Sequence, residues 1–176
     1  MEGSGVKLRI RGATPSEERI EARKRGDILH RALSFVRTAE DRGNLELLVK
    51  RAVVLEGESL RAWNIPELVK DLEKVLDSSE LEWIFSGEAE VFTEQEILWP
   101  EGEVRVVIPD RVLRFEDRVV VVDYKSSRPE NEQVLQGYRE QVRFYTKVVG
   151  KAFRAPTVEG YLLFLTPEPS LERVNP

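Results

Sequence analysis

The chain has no cysteine, and only one histidine and one methionine, in 176 residues. Without thiols, disulfide frameworks, thiolate zinc sites, iron–sulfur clusters and cysteine nucleophiles are excluded together. Any metal would be held by oxygen ligands or by the single His30. Long hydrophobic runs are also missing. Stretches such as Val119 to Val122 fall far short of the ~20 apolar residues needed to span a bilayer, and the first residues lack the apolar core of a signal peptide. These absences predict a soluble, cytoplasmic protein with no membrane contact. What is present, 41% apolar and 34% charged residues, fits one compact domain at the usual ~100–200 residues per domain.

A net charge of −5 argues mildly against a nucleic-acid partner, because Lys and Arg normally supply affinity by neutralising phosphates. The average conceals a segregation. Residues 40–103 hold 17 acids and 6 bases, whereas 1–26 hold 7 bases against 4 acids and 128–154 hold 6 against 3. Solvated helix faces are the simplest source of such a pattern.

Along the chain, residues 1–15 read as an N-terminal extension with an edge strand at Val6 to Ile10. Thr14, Pro15 and Glu17 form a helix-start signal. The helix that follows should reach about Thr38, with Ile20, Ile28, Leu29, Ala32, Leu33, Phe35 and Val36 on its apolar face. Residues 40–85 read as an acidic helical insert, an accessory layer with helices at Asn44 to Val54 and Ile65 to Leu76 and a short turn at Leu81 to Phe85. From Glu88 the period changes to that of strands, predicted at Glu88 to Phe92, Glu96 to Trp99, Val104 to Ile108, Val112 to Phe115 and Val119 to Tyr124 as an antiparallel meander. A long helix over Asn131 to Val149 and a buried strand over Val158 to Leu165 complete one domain, residues 16–165. The proline-containing tail, 166–176, is expected to be irregular. Helices packed on a mixed sheet make this an α/β chain.

The chemistry concentrates between Ile108 and Ser127. Val119 to Val122 is apolar on both faces, as a covered central strand is, and runs directly into Asp123 and Lys125. With a period of two these project from one face, and the hairpin from Val112 to Arg118 can fold Asp110 back beside Asp123. Two carboxylates and an ammonium at a strand end suit metal-assisted phosphodiester hydrolysis, with Mg²⁺ or Mn²⁺ held through oxygen. The same spacing is also compatible with a surface Asp–Lys pair beyond a strand.

Pro109-Asp110 followed by Asp123-Tyr124-Lys125 resembles the PD-(D/E)XK nuclease signature. The run VVVVDYKSS is similar to the corresponding segment of RecB-like nucleases, found in helicase–nuclease repair machines and as stand-alone exonucleases. GDILHRAL, Gly26 to Leu33, resembles the N-terminal helix of that family, and QVRFY, Gln141 to Tyr145, its Gln-xxx-Tyr motif. The resemblance spans about residues 17–165. It implies a restriction-endonuclease-like core and a DNA nuclease of repair or recombination, exonuclease rather than endonuclease, working with a helicase motor. It also implies metal ligation by His30, Asp110, Asp123 and the Tyr124 carbonyl, with Lys125 catalytic. Gln141 and Tyr145 would lie on the substrate side, and Glu96, or else Glu94, would be the acid preceding the first aspartate. Ile108 stands where such proteins commonly have glycine, and Ser126 where threonine is usual.

Arg139, Arg143, Lys147 and Lys151 recur every four residues, but at ~100° per residue they keep to the far side of the helix from Tyr145. Arg111, Arg128, Arg23, Lys24 and Arg25 are better candidates for DNA contacts. Two other readings stay open, a non-cutting DNA-binding or scaffolding module with a nuclease-like fold, and an RNA-processing nuclease on the same core.

Overall fold

A computed structural model describes residues 16–103 and 105–176. The strand expected at Val6 to Ile10 and the Thr14-Pro15 signal lie outside these residues. Helix α1 runs from Glu17 to Phe35 and is capped by Ser16, whose hydroxyl accepts from the Arg19 N–H, while Glu17 and Glu18 favour the positive end of the helix dipole. Ile20, expected on the apolar face, is 43% exposed, because the buried stretch of α1 begins only at Gly26.

The helices α2 (Leu45–Leu55), α3 (Ile65–Asp77) and α4 (Glu82–Phe85) follow. Their apolar residues, among them Val49, Val53, Leu68, Leu72 and Phe85, form one cluster with Ile28 and Leu33 of α1 and with the sheet. The acidic stretch is therefore a layer of the core and not an accessory to it. Its acids lie on outer faces, and several pair with bases, as Asp77 does with Arg42.

The strands are β1 (Glu90–Thr93), β2 (Ile97–Trp99), β3 (Arg105–Val107), β4 (Arg111–Arg114), β5 (Val119–Ser127), β6 (Val158–Thr166) and β7 (Ser170–Val174), with α5 (Glu132–Ala152) between β5 and β6. The main sheet has the order β1-β4-β5-β6-β7. Only β5 and β6 are parallel, joined by α5 as a helix crossover. The predicted meander is interrupted. β2 and β3 pair only with each other, so β1 lies beside β4. Glu94, with φ of 49°, turns the chain out of β1 into this ribbon. The tail is not irregular, since Ser170 to Val174 pairs antiparallel with β6. The bases on α5 hold this edge strand: Arg139 Nε donates to Glu172 at 2.6 Å, and Arg143 Nε to the Asn175 carbonyl at 2.9 Å.

The alternation of β5 distributes its side chains between the two layers. Val120, Val122 and Tyr124 enter the cluster under α1 to α4, whereas Val119 and Val121 enter a second cluster under α5 and the ribbon. Asp123 and Lys125 continue the α5 face. No helix among the described residues is long and apolar enough to cross a membrane.

Candidate active site

The site lies where the polar end of β5 meets α1, the start of β4 and α5. Asp110 immediately precedes β4, whose register sets Arg111 opposite Val122, so its carboxylate reaches the backbone beyond Val122. The Tyr124 N–H donates to Asp110 Oδ2 at 2.7 Å, and His30 Nε2 of α1 stands 2.9 Å from Asp110 Oδ1. Asp123 Oδ2 is 2.8 Å from Lys125 Nζ. Lys125 donates to Gln141 Oε1 at 2.9 Å, and Gln141 Nε2 donates to the Tyr145 hydroxyl at 2.9 Å. Thus His30, Asp110, Asp123, Lys125, Gln141 and Tyr145, which the sequence motifs selected, come together at one place. Gln141 and Tyr145 are one helical turn apart, and that spacing allows both to face β5.

Glycine decides how closely α1 approaches. A Cβ at Gly26 would stand 2.6 Å from Ser126 Cβ, so the helix and strand touch there, and His30 follows one turn later. Arg111 anchors the other end of α1. It is fully buried, donates to the carbonyls of Val36 (2.8 Å) and Arg37, contacts the Tyr124 hydroxyl at 3.3 Å and lies 4.6 Å from the Phe85 ring centroid. A cation on the last carbonyls of a helix opposes the negative end of its dipole. Arg111 is consequently a strut and not the DNA contact expected from the sequence.

Burial raises the Asp123 carboxyl to about 6, and the Asp110 charge adds to the shift, against the opposing pull of Lys125. His30 is raised from its ordinary value: burial opposes the charged ring, but the hydrogen bond to Asp110 and the charges of Asp110, Asp123 and Glu94 outweigh it. Perturbed groups gathered around one point favour a functional role.

Glu96 is exposed, whereas Glu94 acts on His30 through its charge and accepts from Arg31 at 3.4 Å. Of the two glutamates, Glu94 is the one beside the site. Its N–H donates to the Asp110 carbonyl at 3.1 Å, a contact set by the left-handed turn, which no residue pattern announced. Tyr138 was also missed in this role. The Lys125 ammonium lies 4.5 Å from its ring centroid, a cation–π distance. Its position three residues before Gln141 on one helix was the available signal.

Among the described residues no three His, Asp or Glu side chains are arranged to share one ion as they stand. The donor set nevertheless fits a hard divalent cation. Two carboxylates repel each other in a buried place, and Asp123 Oδ2 lacks a well-aligned hydrogen-bond donor despite the nearby ammonium.

A profile of the PD-(D/E)XK nuclease superfamily matches residues 6–174. The chain belongs to the PD-(D/E)XK nuclease superfamily. The mixed five-stranded sheet flanked by helices is consistent with its restriction-endonuclease-like fold, and divalent metals are general in that superfamily. No curated protein matches the chain. A solved structure, that of a protein named SSO0001, is similar at 20% identity with a TM-score of 0.40, covering 82% of this chain and 66% of that one.

Proposed function

We propose that this PD-(D/E)XK protein is a Mg²⁺- or Mn²⁺-dependent deoxyribonuclease of RecB-like type, acting as an exonuclease in DNA repair or recombination beside a helicase motor. The observation that carries the reading is the buried Asp123 beside the half-buried Asp110, with Lys125 at the open end of the central strand. His30, Asp110, Asp123 and the Tyr124 carbonyl would hold the ion, which when bound polarises the phosphate and acidifies water. Lys125, steered by Asp123, Gln141 and Tyr138, presents a positive charge to the phosphate. Gln141 and Tyr145 line the substrate side.

Incubating the protein with single- and double-stranded DNA in Mg²⁺ or Mn²⁺ tests this. Asp123→Ala and Lys125→Ala should each lower cleavage by about 10²–10⁴-fold. Wild-type cleavage no faster than that of the variants would overturn the reading. The turned-in imidazole favours one competitor, a scaffold that does not cut. Calorimetric titration with Mn²⁺ separates the two, because only the nuclease needs ion binding that Asp110→Ala abolishes.

A further inference from the structure

We infer that a cavity next to this site is a second phosphate-binding site, which takes the phosphate adjacent to the scissile one on a nucleic-acid strand. The inference rests on the nuclease reading above for the identity of its ligand. The cavity measures about 290 Å³, with Arg23, Arg25 and Gly26 of α1 on one wall and Ser126, Ser127 and Thr166 on the other. It lies at the carboxyl ends of the parallel pair β5 and β6, where α/β sheets commonly receive their ligands.

The spacing suits the role. Ser127, which lines the cavity at the end of β5, lies two residues past Lys125, about 7 Å further along the strand, which is close to one phosphate-to-phosphate step of a nucleic acid. The close approach of Gly26 to Ser126 closes the floor. The Thr166 hydroxyl donates to the Ser126 carbonyl at 2.7 Å and so fixes the strand ends relative to each other, while the Ser126 and Ser127 hydroxyls provide donors.

The two arginines differ. Arg25 donates to Asp71 at 2.6 Å and lies 3.6 Å from Glu67, so α3 already balances its charge. The Arg23 side chain is 86% exposed, and its partner Asp27, also at the rim, is 4.0 Å away. An exposed pair of that length contributes little, so Arg23 can exchange Asp27 for a phosphate. The ligand chemistry is a phosphate oxygen, either from an internal phosphodiester or from a terminal phosphomonoester.

Calorimetry in EDTA, where cleavage is suppressed, tests the site with short oligothymidylates bearing hydroxyls at both ends, a 5′-phosphate or a 3′-phosphate. Arg23→Ala should weaken binding about tenfold and flatten the salt dependence by about one counterion, with Ser127→Ala weaker in effect and Arg23→Lys close to wild type. A tighter Kd for one phosphorylated oligonucleotide, lost in Arg23→Ala, assigns the terminal monoester. Equal affinities that fall together assign the internal diester. Wild-type affinity for every oligonucleotide in both Arg23→Ala and Ser127→Ala, or no binding by the wild type, overturns the site. Cleavage in Mg²⁺ or Mn²⁺ against Asp123→Ala is read separately, so binding without cleavage defeats only the nuclease reading, and cleavage with an unaltered Arg23→Ala defeats only the cavity.

Discussion

On one face of the sheet α1 meets β5 through an apolar cluster to which buried polar groups are added, and on the other α5 meets β6 through methyl groups. Both contacts need a glycine. On the α1 side the helix touches the strand at Gly26, is anchored by the buried guanidinium of Arg111, and brings His30 onto Asp110. On the α5 side a Cβ at Gly160 would stand 2.5 Å from Val142 Cγ1 and 2.8 Å from Thr146 Cγ2, with Leu162 and Phe164 packed alongside. Hydrogen bonds and charges specify the orientation of α1, whereas close packing specifies the position of α5. The site draws on both, taking its imidazole from the first and the lysine-holding Gln141 and Tyr138 from the second.

The largest effect should come from breaking the polar side. Arg111→Met leaves the Val36 and Arg37 carbonyls without their donor and should cost about 2–5 kcal/mol in urea unfolding. A loss no larger than that of an ordinary surface substitution would show that α1 is held by its apolar face alone. Gly160→Ala tests the packed side. Val142 and Thr146 are β-branched and stiff, so overpacking should cost about 1–3 kcal/mol, with metal binding unchanged.

Asp123→Asn should move in the opposite direction. The native carboxyl takes up its proton at about 6 instead of at the ordinary 3.8. Between these values the folded state binds more protons than the unfolded one, and stability falls as pH rises through that window and stays lower above it. Removing the charge should therefore stabilise the metal-free protein by on the order of 1–3 kcal/mol near pH 8 and by little near pH 4, while abolishing cleavage. The same difference between variant and wild type at both pH values would contradict the burial argument.

The smallest change in stability, with a disproportionate loss of activity, is expected for Gly26→Ala. The gain in helix propensity, up to ~1 kcal/mol, offsets part of the clash with Ser126 Cβ, and a shift of α1 relieves the rest. Displacement of α1 should still lower cleavage at least about tenfold, as small misplacements at a reacting centre do. Unchanged kcat would mean that the contact at Gly26 does not set the position of His30.

Much of this was legible in the residues. Hydrophobic period located α2, α3, α5 and β6 to within a few residues, and the alternation of β5 put Asp123 and Lys125 on one face. The errors have identifiable causes. β7 is a mixed polar edge strand framed by prolines, and its partners are bases on α5 that a helical wheel reads as solvated. The ribbon β2–β3 carries the same alternating pattern as a meander strand, so nothing local distinguishes leaving the sheet from staying in it. Arg111 reads as a surface base because neither its burial nor the helix end that it caps is recorded nearby in the chain.

Composition and spacing alone determined that a metal must be sought among oxygens and one imidazole, that the chain is α/β, and that Asp123 and Lys125 share one face at the end of a covered strand, within reach of Asp110 through the hairpin. These follow from residue chemistry and from periods of 2 and 3.6, which are local properties. Only the tertiary structure chose Glu94 over Glu96, made Arg111 a strut, set Tyr138 against Lys125 and opened a cavity beyond Ser126. Each of these depends on which distant segments share a few ångströms of space, and that is decided by close packing of the layers on either side of β5.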